Sequence, residues 1–214
     1  NRKKIKKYLQ DFKNLSIREQ KGKELIKELI NKDVPVLIDP TLLIDSEHWT
    51  GLSKSLSIEP YVLFYFLCEP SKETIEKLKK IEKYLGKKVI VIPSISDWHN
   101  ELHKVENMPA GPLEFISLIK NADFVCTDSF HGMAYSINLN IPFLAFKRNY
   151  GKASDQSSRI SSLLSILGLE DRFVNDRELN LENINVVNFI KVNKILSEER
   201  EKGLQYLKEA LEIS

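Results

Sequence analysis

With 214 residues, 42% hydrophobic and 29% charged, the chain suits one large globular domain, or one domain and part of another. A net charge of only +2 removes any whole-molecule argument for nucleic acid, and no apolar run is long enough to span a bilayer. No Gly-x-Gly-x-x-Gly, Walker loop or Asp-x-Asp signature occurs, which argues against dinucleotide and P-loop chemistry.

The front of the chain is uneven in charge. Residues 1–32 carry eleven Lys or Arg against four acids. That excess fits a solvated helical face, or an anionic lipid or polymer surface nearby. "REQKGKELIKELINKDVPVLIDPTLLI" predicts a helix, a short strand at "VPVLI" and a sharp break at Asp39-Pro40. One strand with its helices cannot bury a two-sided sheet. Residues 1–45 therefore read as the residual edge of an N-terminal Rossmann-like domain, and 46–59 as an interdomain connection.

From residue 60 strands and helices alternate. "PYVLFYFLC" is too continuously apolar for a half-exposed strand and predicts one buried on both faces. A helix follows, with Ile75, Leu78, Ile81 and Leu85 on one face, Ser71 as N-cap and Gly86 as stop. "KKVIVIP" predicts a second buried strand, and Pro112 marks the first turn of the next helix. "DFVCT", a helix from about Ser129, and "PFLAF" continue the pattern. Residues 155–168 predict a further helix ending at Gly168, and 188–212 a long amphipathic one. The whole reads as α/β: a Rossmann-like parallel sheet with helices on both faces over 60–187, followed by the C-terminal helix 188–214. Cys68 and Cys126 lie inside apolar runs and read as buried structural thiols of a reducing compartment. His99 and His103 have the i, i+4 spacing of a metal pair. No third ligand is evident, and the segment reads as an ordinary surface loop.

"TDSFHGMAYS" places His131 at a strand-to-helix turn. Ligands of open parallel sheets bind at that edge, and the free N–H groups of a helix start attract phosphate or carboxylate. A histidine there can give or take a proton, and Gly132 would let a ligand approach closely. Alternatively, Asp128 or Ser129 is simply an N-cap and His131 a polar first-turn residue. Lys147 and Arg148, directly after a strand, could line the same crevice. Arg159, beside Ser158 at the start of the next helix, could be an anion clamp or a surface charge.

"IKNADFVCTDSFHGMAYSINLNIPFLAF", the upstream "LSIREQKGKELIKEL…VLIDPTLLID" and the downstream "SSRISSLLSILGLEDR" together resemble the polysaccharide pyruvyl transferase family, in order and spacing, over most of residues 15–172. The resemblance implies two facing Rossmann-like domains of GT-B type, of which this chain would supply the C-terminal half. It implies transfer of a pyruvyl (enolpyruvyl) group from phosphoenolpyruvate to sugar hydroxyls of a cell-surface polysaccharide, with no cofactor. It places the acid/base role on His131, with Asp128 beside it. Donor-anion contacts fall to Arg18 and Arg159, supported by Ser129, Gly132, Ser158, Lys147 and Arg148. Where well-studied members read Arg-Leu-His-Gly, this chain has Ser129-Phe130-His131-Gly132, so a carboxylate-binding arginine is missing. Lys147 or Arg148 are the candidates to replace it. The reading expects a cytoplasmic protein at or near the inner face of the membrane, a glycan acceptor that could be lipid-linked, and no nucleic-acid partner. It also expects the isolated 214 residues, which begin at Asn, to be nearly inactive. Two alternatives stand beside it: a GT-B glycosyltransferase with a nucleotide-sugar donor, and a non-catalytic domain that binds glycan or partner proteins.

Overall fold

The computed structural model describes residues 2–93, 97–103, 105–148, 157–175 and 179–212. The chain opens with helices α1 (Arg2–Asp11) and α2 (Gln20–Ile30), followed by the short α3 (Pro40–Leu43) and α4 (Ser46–Leu52). The alternating unit then runs β1 (Tyr61–Tyr65), α5 (Lys72–Leu85), β2 (Lys88–Val91), β3 (Val105–Asn107), α6 (Pro112–Lys120), β4 (Phe124–Thr127), α7 (Phe130–Asn138), β5 (Phe143–Phe146), α8 (Ser158–Leu167), β6 (Phe173–Val174) and α9 (Phe189–Leu211).

Among the described residues, the six strands form one sheet in the order β3-β2-β1-β4-β5-β6, with every pairing parallel. That is the doubly wound order, in which the chain starts at the centre and reverses direction between β1 and β4. Period-two alternation sorts the strand residues onto two faces. Leu63, Ile90, Val125 and Ala145 share one apolar cluster with Met133 and Ile137 of α7, Leu163 and Leu164 of α8 and Leu196 of α9. Val62, Phe64, Val91, Phe124 and Phe146 share the other with Ile75, Leu78 and Ile81 of α5. Both faces are covered, which is why these strands are apolar throughout. Full burial of each such side chain contributes about 1.5–3 kcal/mol.

Local signals set most helix ends. Ser71 accepts from the Thr74 N–H at 3.2 Å, and Gly86 ends α5 at φ +62°. Gly168 closes α8 in the same left-handed conformation, at φ +65°.

The front segment is fastened to this unit rather than standing apart. Leu42 of α3 is fully buried in the cluster that holds Leu63. Arg200 of α9 donates to the Leu42 carbonyl at 2.7 Å and to Asn138 Oδ1 at 2.8 Å, while Asn138 Nδ2 donates to the Ile44 carbonyl at 2.8 Å. Helix α9 passes so close to α3 that a Cβ at Gly203 would lie 2.6 Å from Leu43 Cδ2. Its far end returns to the front of the chain, with Lys13 paired to Glu212 and Asn14 Nδ2 donating to the Ala210 carbonyl at 3.1 Å. Thus α9 both covers the sheet and reaches back to residues 13–14.

Two sequence expectations change. "VPVLI" forms no strand: it makes one isolated parallel bridge, Ile17 to Val36, and among the described residues no further strand pairs beside it. Residues 46–59, read as a connection, include a helix, α4, whose N-cap Asp45 accepts from the His48 N–H. The segment read as a surface loop contains a 3₁₀ turn, Trp98–Glu101, and the edge strand β3. His99 in that turn is 5% exposed, with Nε2 2.9 Å from Asn107 Nδ2, whereas His103 points outward beside Glu82 at 3.6 Å. The two imidazoles do not converge, and no group of three metal-ligating side chains occurs among the described residues.

Candidate active site at the carboxyl edge of the sheet

Strand order reverses between β1 and β4, and the "TDSFHG" turn stands at their carboxyl ends, the edge where open parallel sheets bind ligands. Thr127, the last residue of β4, donates from its hydroxyl to the Tyr65 carbonyl at 2.6 Å and accepts from the Ser129 N–H at 3.0 Å. Ser129 N-caps α7, accepting from the Gly132 N–H at 3.3 Å. Gly132 is required here for packing: a Cβ would stand 2.6 Å from Thr127 Oγ1. Its missing side chain lets the first turn of α7 close down on β4.

Asp128 is 2% exposed and bridges both sides of the reversal. Its carboxylate accepts from the N–H groups of Leu67 at 2.7 Å and Cys68 at 3.2 Å, just beyond β1, and from Arg148 Nε at 3.1 Å, just beyond β5. Arg148 Nη2 also donates to the Asp128 carbonyl at 2.9 Å. Burial pushes the carboxyl's pKa above its ordinary value, against the opposing pull of those N–H groups and the guanidinium. Asp128 and Arg148 thus hold each other at the carboxyl ends of β4 and β5.

One residue further, the Phe130 ring is 5% exposed and organises three of the singled-out groups. The Arg18 guanidinium lies 5.3 Å from the ring centre and that of Arg159 lies 6.0 Å away. The His131 imidazole meets the ring edge-on, with centroids 5.5 Å apart, and is exposed. Arg18 is also paired with Asp39. Burial raises the Asp39 carboxyl's pKa, but the Thr41 N–H and hydroxyl and the Arg18 guanidinium outweigh it, and the carboxyl stays below its ordinary value. Arg159 reaches the ring from the first turn of α8, where Ser158 pairs with Glu19 and Ser162 Oγ accepts from the Gln20 N–H at 3.3 Å. Residues 18–20 are thereby clamped to the start of α8.

Beside this cluster, a pocket of about 280 Å³ is lined by Lys147, Ser157, Ser158, Phe173 and Asn175 together with Lys21 of α2. The structure therefore gathers His131, Arg18 and Arg159 around one ring, puts Lys147 and Ser158 in a neighbouring pocket, and embeds Asp128, Ser129, Gly132 and Arg148 in the supporting turn. Sequence reasoning passed over Phe130, and also Tyr65, whose carbonyl accepts from the Thr127 hydroxyl at 2.6 Å. Position was the available signal: Tyr65 ends the central strand, and Phe130 stands between the two motif residues that were noticed.

An α/β protein with a parallel Rossmann-like sheet and two guanidiniums gathered at its carboxyl edge is the class these features define. The family model for polysaccharide pyruvyl transferases matches residues 1–150, and the chain belongs to that family. The "SSRISSLLSILGLEDR" block lies beyond the matched stretch. Among solved structures, the chain is similar to UDP-GlcNAc 2-epimerase from Methanocaldococcus jannaschii, at 18% identity and TM-score 0.43, over 74% of this chain and 42% of that one. It is also similar to the glycosyltransferase of kitacinnamycin, at 15% identity and TM-score 0.47, over 72% and 41% of the two chains. A third is the Escherichia coli heptosyltransferase WaaC, at 12% identity and TM-score 0.36, over 84% and 54%. The chain thus spans about half or less of the length of each. No curated protein matches it. Among the described residues, no helix is long and apolar enough to cross a membrane.

Proposed function

We propose that this chain carries the donor-binding part of a pyruvyl transferase acting on a cell-surface polysaccharide. Phosphoenolpyruvate presents a carboxylate and a phosphate around one reactive carbon. In the proposed reaction a sugar hydroxyl adds to that carbon while the methylene gains a proton and becomes methyl. A second hydroxyl then displaces phosphate, and the product is a pyruvate ketal plus inorganic phosphate. The chemistry needs cations for two anionic groups and a residue that moves protons.

The observation that carries the reading is the Phe130-centred cluster in a chain of this family: two guanidiniums and an exposed histidine at the first turn of α7. His131 is the proposed proton carrier, with Arg18 and Arg159 as donor-anion ligands and Lys147 and Ser158 as flanking contacts. Asp128 acts in this scheme by fixing the turn that carries His131. Arg148 is committed to Asp128, which leaves Lys147 as the better replacement for the missing motif arginine. A carbohydrate acceptor, lipid-linked or free, would enter at the same carboxyl edge of the sheet.

The test is a thermal-shift titration with phosphoenolpyruvate, UDP-sugars and GDP-sugars, repeated on His131→Ala. Saturable stabilisation by phosphoenolpyruvate that disappears in His131→Ala is the expected result. Stabilisation by nucleotides alone would reassign the chemistry to glycosyl transfer. Binding of neither donor class would favour a non-catalytic domain.

A further inference from the structure

We propose that Phe130 is a positioning residue of the anion site, whose ring holds the guanidiniums of Arg18 and Arg159 ready for an anion. The inference rests on the donor-site reading above and extends it to how the cations are held. Ser129 is neutral, buried and spent on capping α7. Arg148 is tied to Asp128 through two of its nitrogens. The remaining guanidiniums come from distant places, Arg18 from the segment before α2 and Arg159 from the first turn of α8. Phe130 is the common neighbour, with both guanidinium carbons within 6.0 Å of its ring centre and the imidazole of His131 at its edge.

An aromatic face attracts a cation through its quadrupole; a leucine would fill the space without that attraction. Arg18 has five N–H donors, and Asp39 takes one through Nη1. The ring restrains the Arg18 guanidinium while leaving N–H donors of that side chain for an incoming oxyanion. Arg159 is held by the same ring. Two long side chains that would otherwise lose rotamer freedom on binding are ordered in advance. The ligand class is a small dianion carrying phosphate or carboxylate, and the gain lies in affinity rather than in the chemical step.

The experiment uses the 214-residue chain with phenylalanine, mono-, tri- or pentafluorophenylalanine at position 130, and Phe130→Leu and Phe130→Tyr. Phosphoenolpyruvate and inorganic phosphate are titrated against each. Fluorination drains the ring's negative face with little change in shape, so affinity should fall stepwise along the series. Phe130→Leu should bind about tenfold more weakly, corresponding to two cation–π contacts, and Phe130→Tyr should retain most of the affinity. The Nε–H resonances of Arg18 and Arg159 should carry ring-current shifts that vanish in Phe130→Leu. Equal affinity across the fluorinated series, or arginine resonances unmoved by Phe130→Leu, overturns the proposal. Phosphate binding that tracks fluorination without phosphoenolpyruvate binding would keep the platform and discard the pyruvyl reading. Phosphoenolpyruvate binding indifferent to fluorination would do the reverse. Binding of neither anion discards both.

Discussion

Replacing Arg148 with leucine removes the charge that faces Asp128 while leaving the carboxylate where it is. Asp128 is 2% exposed and the Arg148 side chain 14%, so water cannot take the guanidinium's place without opening the turn. The carboxylate would retain the Leu67 and Cys68 N–H groups and lose the Arg148 Nε contact at 3.1 Å. Breaking a buried pair from one side typically costs about 3–5 kcal/mol, because the remaining charge stays desolvated. For a chain of this length each kcal/mol lowers the melting midpoint by roughly 2–4 °C. The pH dependence gives the mechanism away. Burial already holds the Asp128 pKa above its ordinary 3.8, and loss of the guanidinium raises it further. A group with a raised folded pKa contributes stability that is complete below its unfolded value and is lost as pH rises through the folded one. Arg148→Leu should therefore lie nearest to wild type in acid and furthest from it at neutral pH. Urea unfolding of both proteins from pH 3.5 to 7.5 measures this. A penalty under 1 kcal/mol at neutral pH, or one that does not change with pH, would refute the reasoning.

Two further outcomes follow from the same turn and its neighbour. Gly132→Ala should destabilise by about 1–3 kcal/mol, since its Cβ would meet Thr127 Oγ1, which is itself anchored to the Tyr65 carbonyl. In a Thr127→Ala background the added cost should shrink; strictly additive penalties in urea would show that the two residues do not compete for this space. Asp39→Asn should lower stability at pH 7 by about 1–3 kcal/mol through loss of a buried, charge-assisted acceptor for Arg18 and Thr41. The Asp39 pKa is depressed, so its contribution exists above 3.8 and disappears as pH falls through the folded value. The gap between wild type and variant should therefore close towards strongly acid pH, and a constant gap would contradict the assigned cause.

Much of the alternating unit was legible because its signals are local. Continuous apolar runs marked β1, β2, β4 and β5, while Ser71, Gly86, Pro112 and Gly168 marked helix ends by capping geometry that involves only near neighbours. The short pieces were not legible. Strands β3 and β6 span three and two residues and exist only because a neighbouring strand supplies their hydrogen bonds. "VPVLI" shows the converse, a good strand sequence reduced to a single bridge for want of a partner. At the site, the "SFHG" turn could be placed at a strand-to-helix junction from the sequence, and with it His131 and the cap Ser129. The grouping of Arg18, Phe130 and Arg159 could not, because Arg18 lies more than a hundred positions from the other two and meets them only when residues 18–20 lock onto the start of α8. Asp128 changed character for the same reason: its partners at 67, 68 and 148 reach it only once β1, β4 and β5 lie side by side. Amino-acid order alone determined the apolar periodicity, the helix caps and the family motif, since each is set by residues a few positions apart. Tertiary structure decided which charges are buried in pairs, as Asp128 with Arg148 is, and which meet at the Phe130 ring, because that depends on burial and on contacts between distant segments.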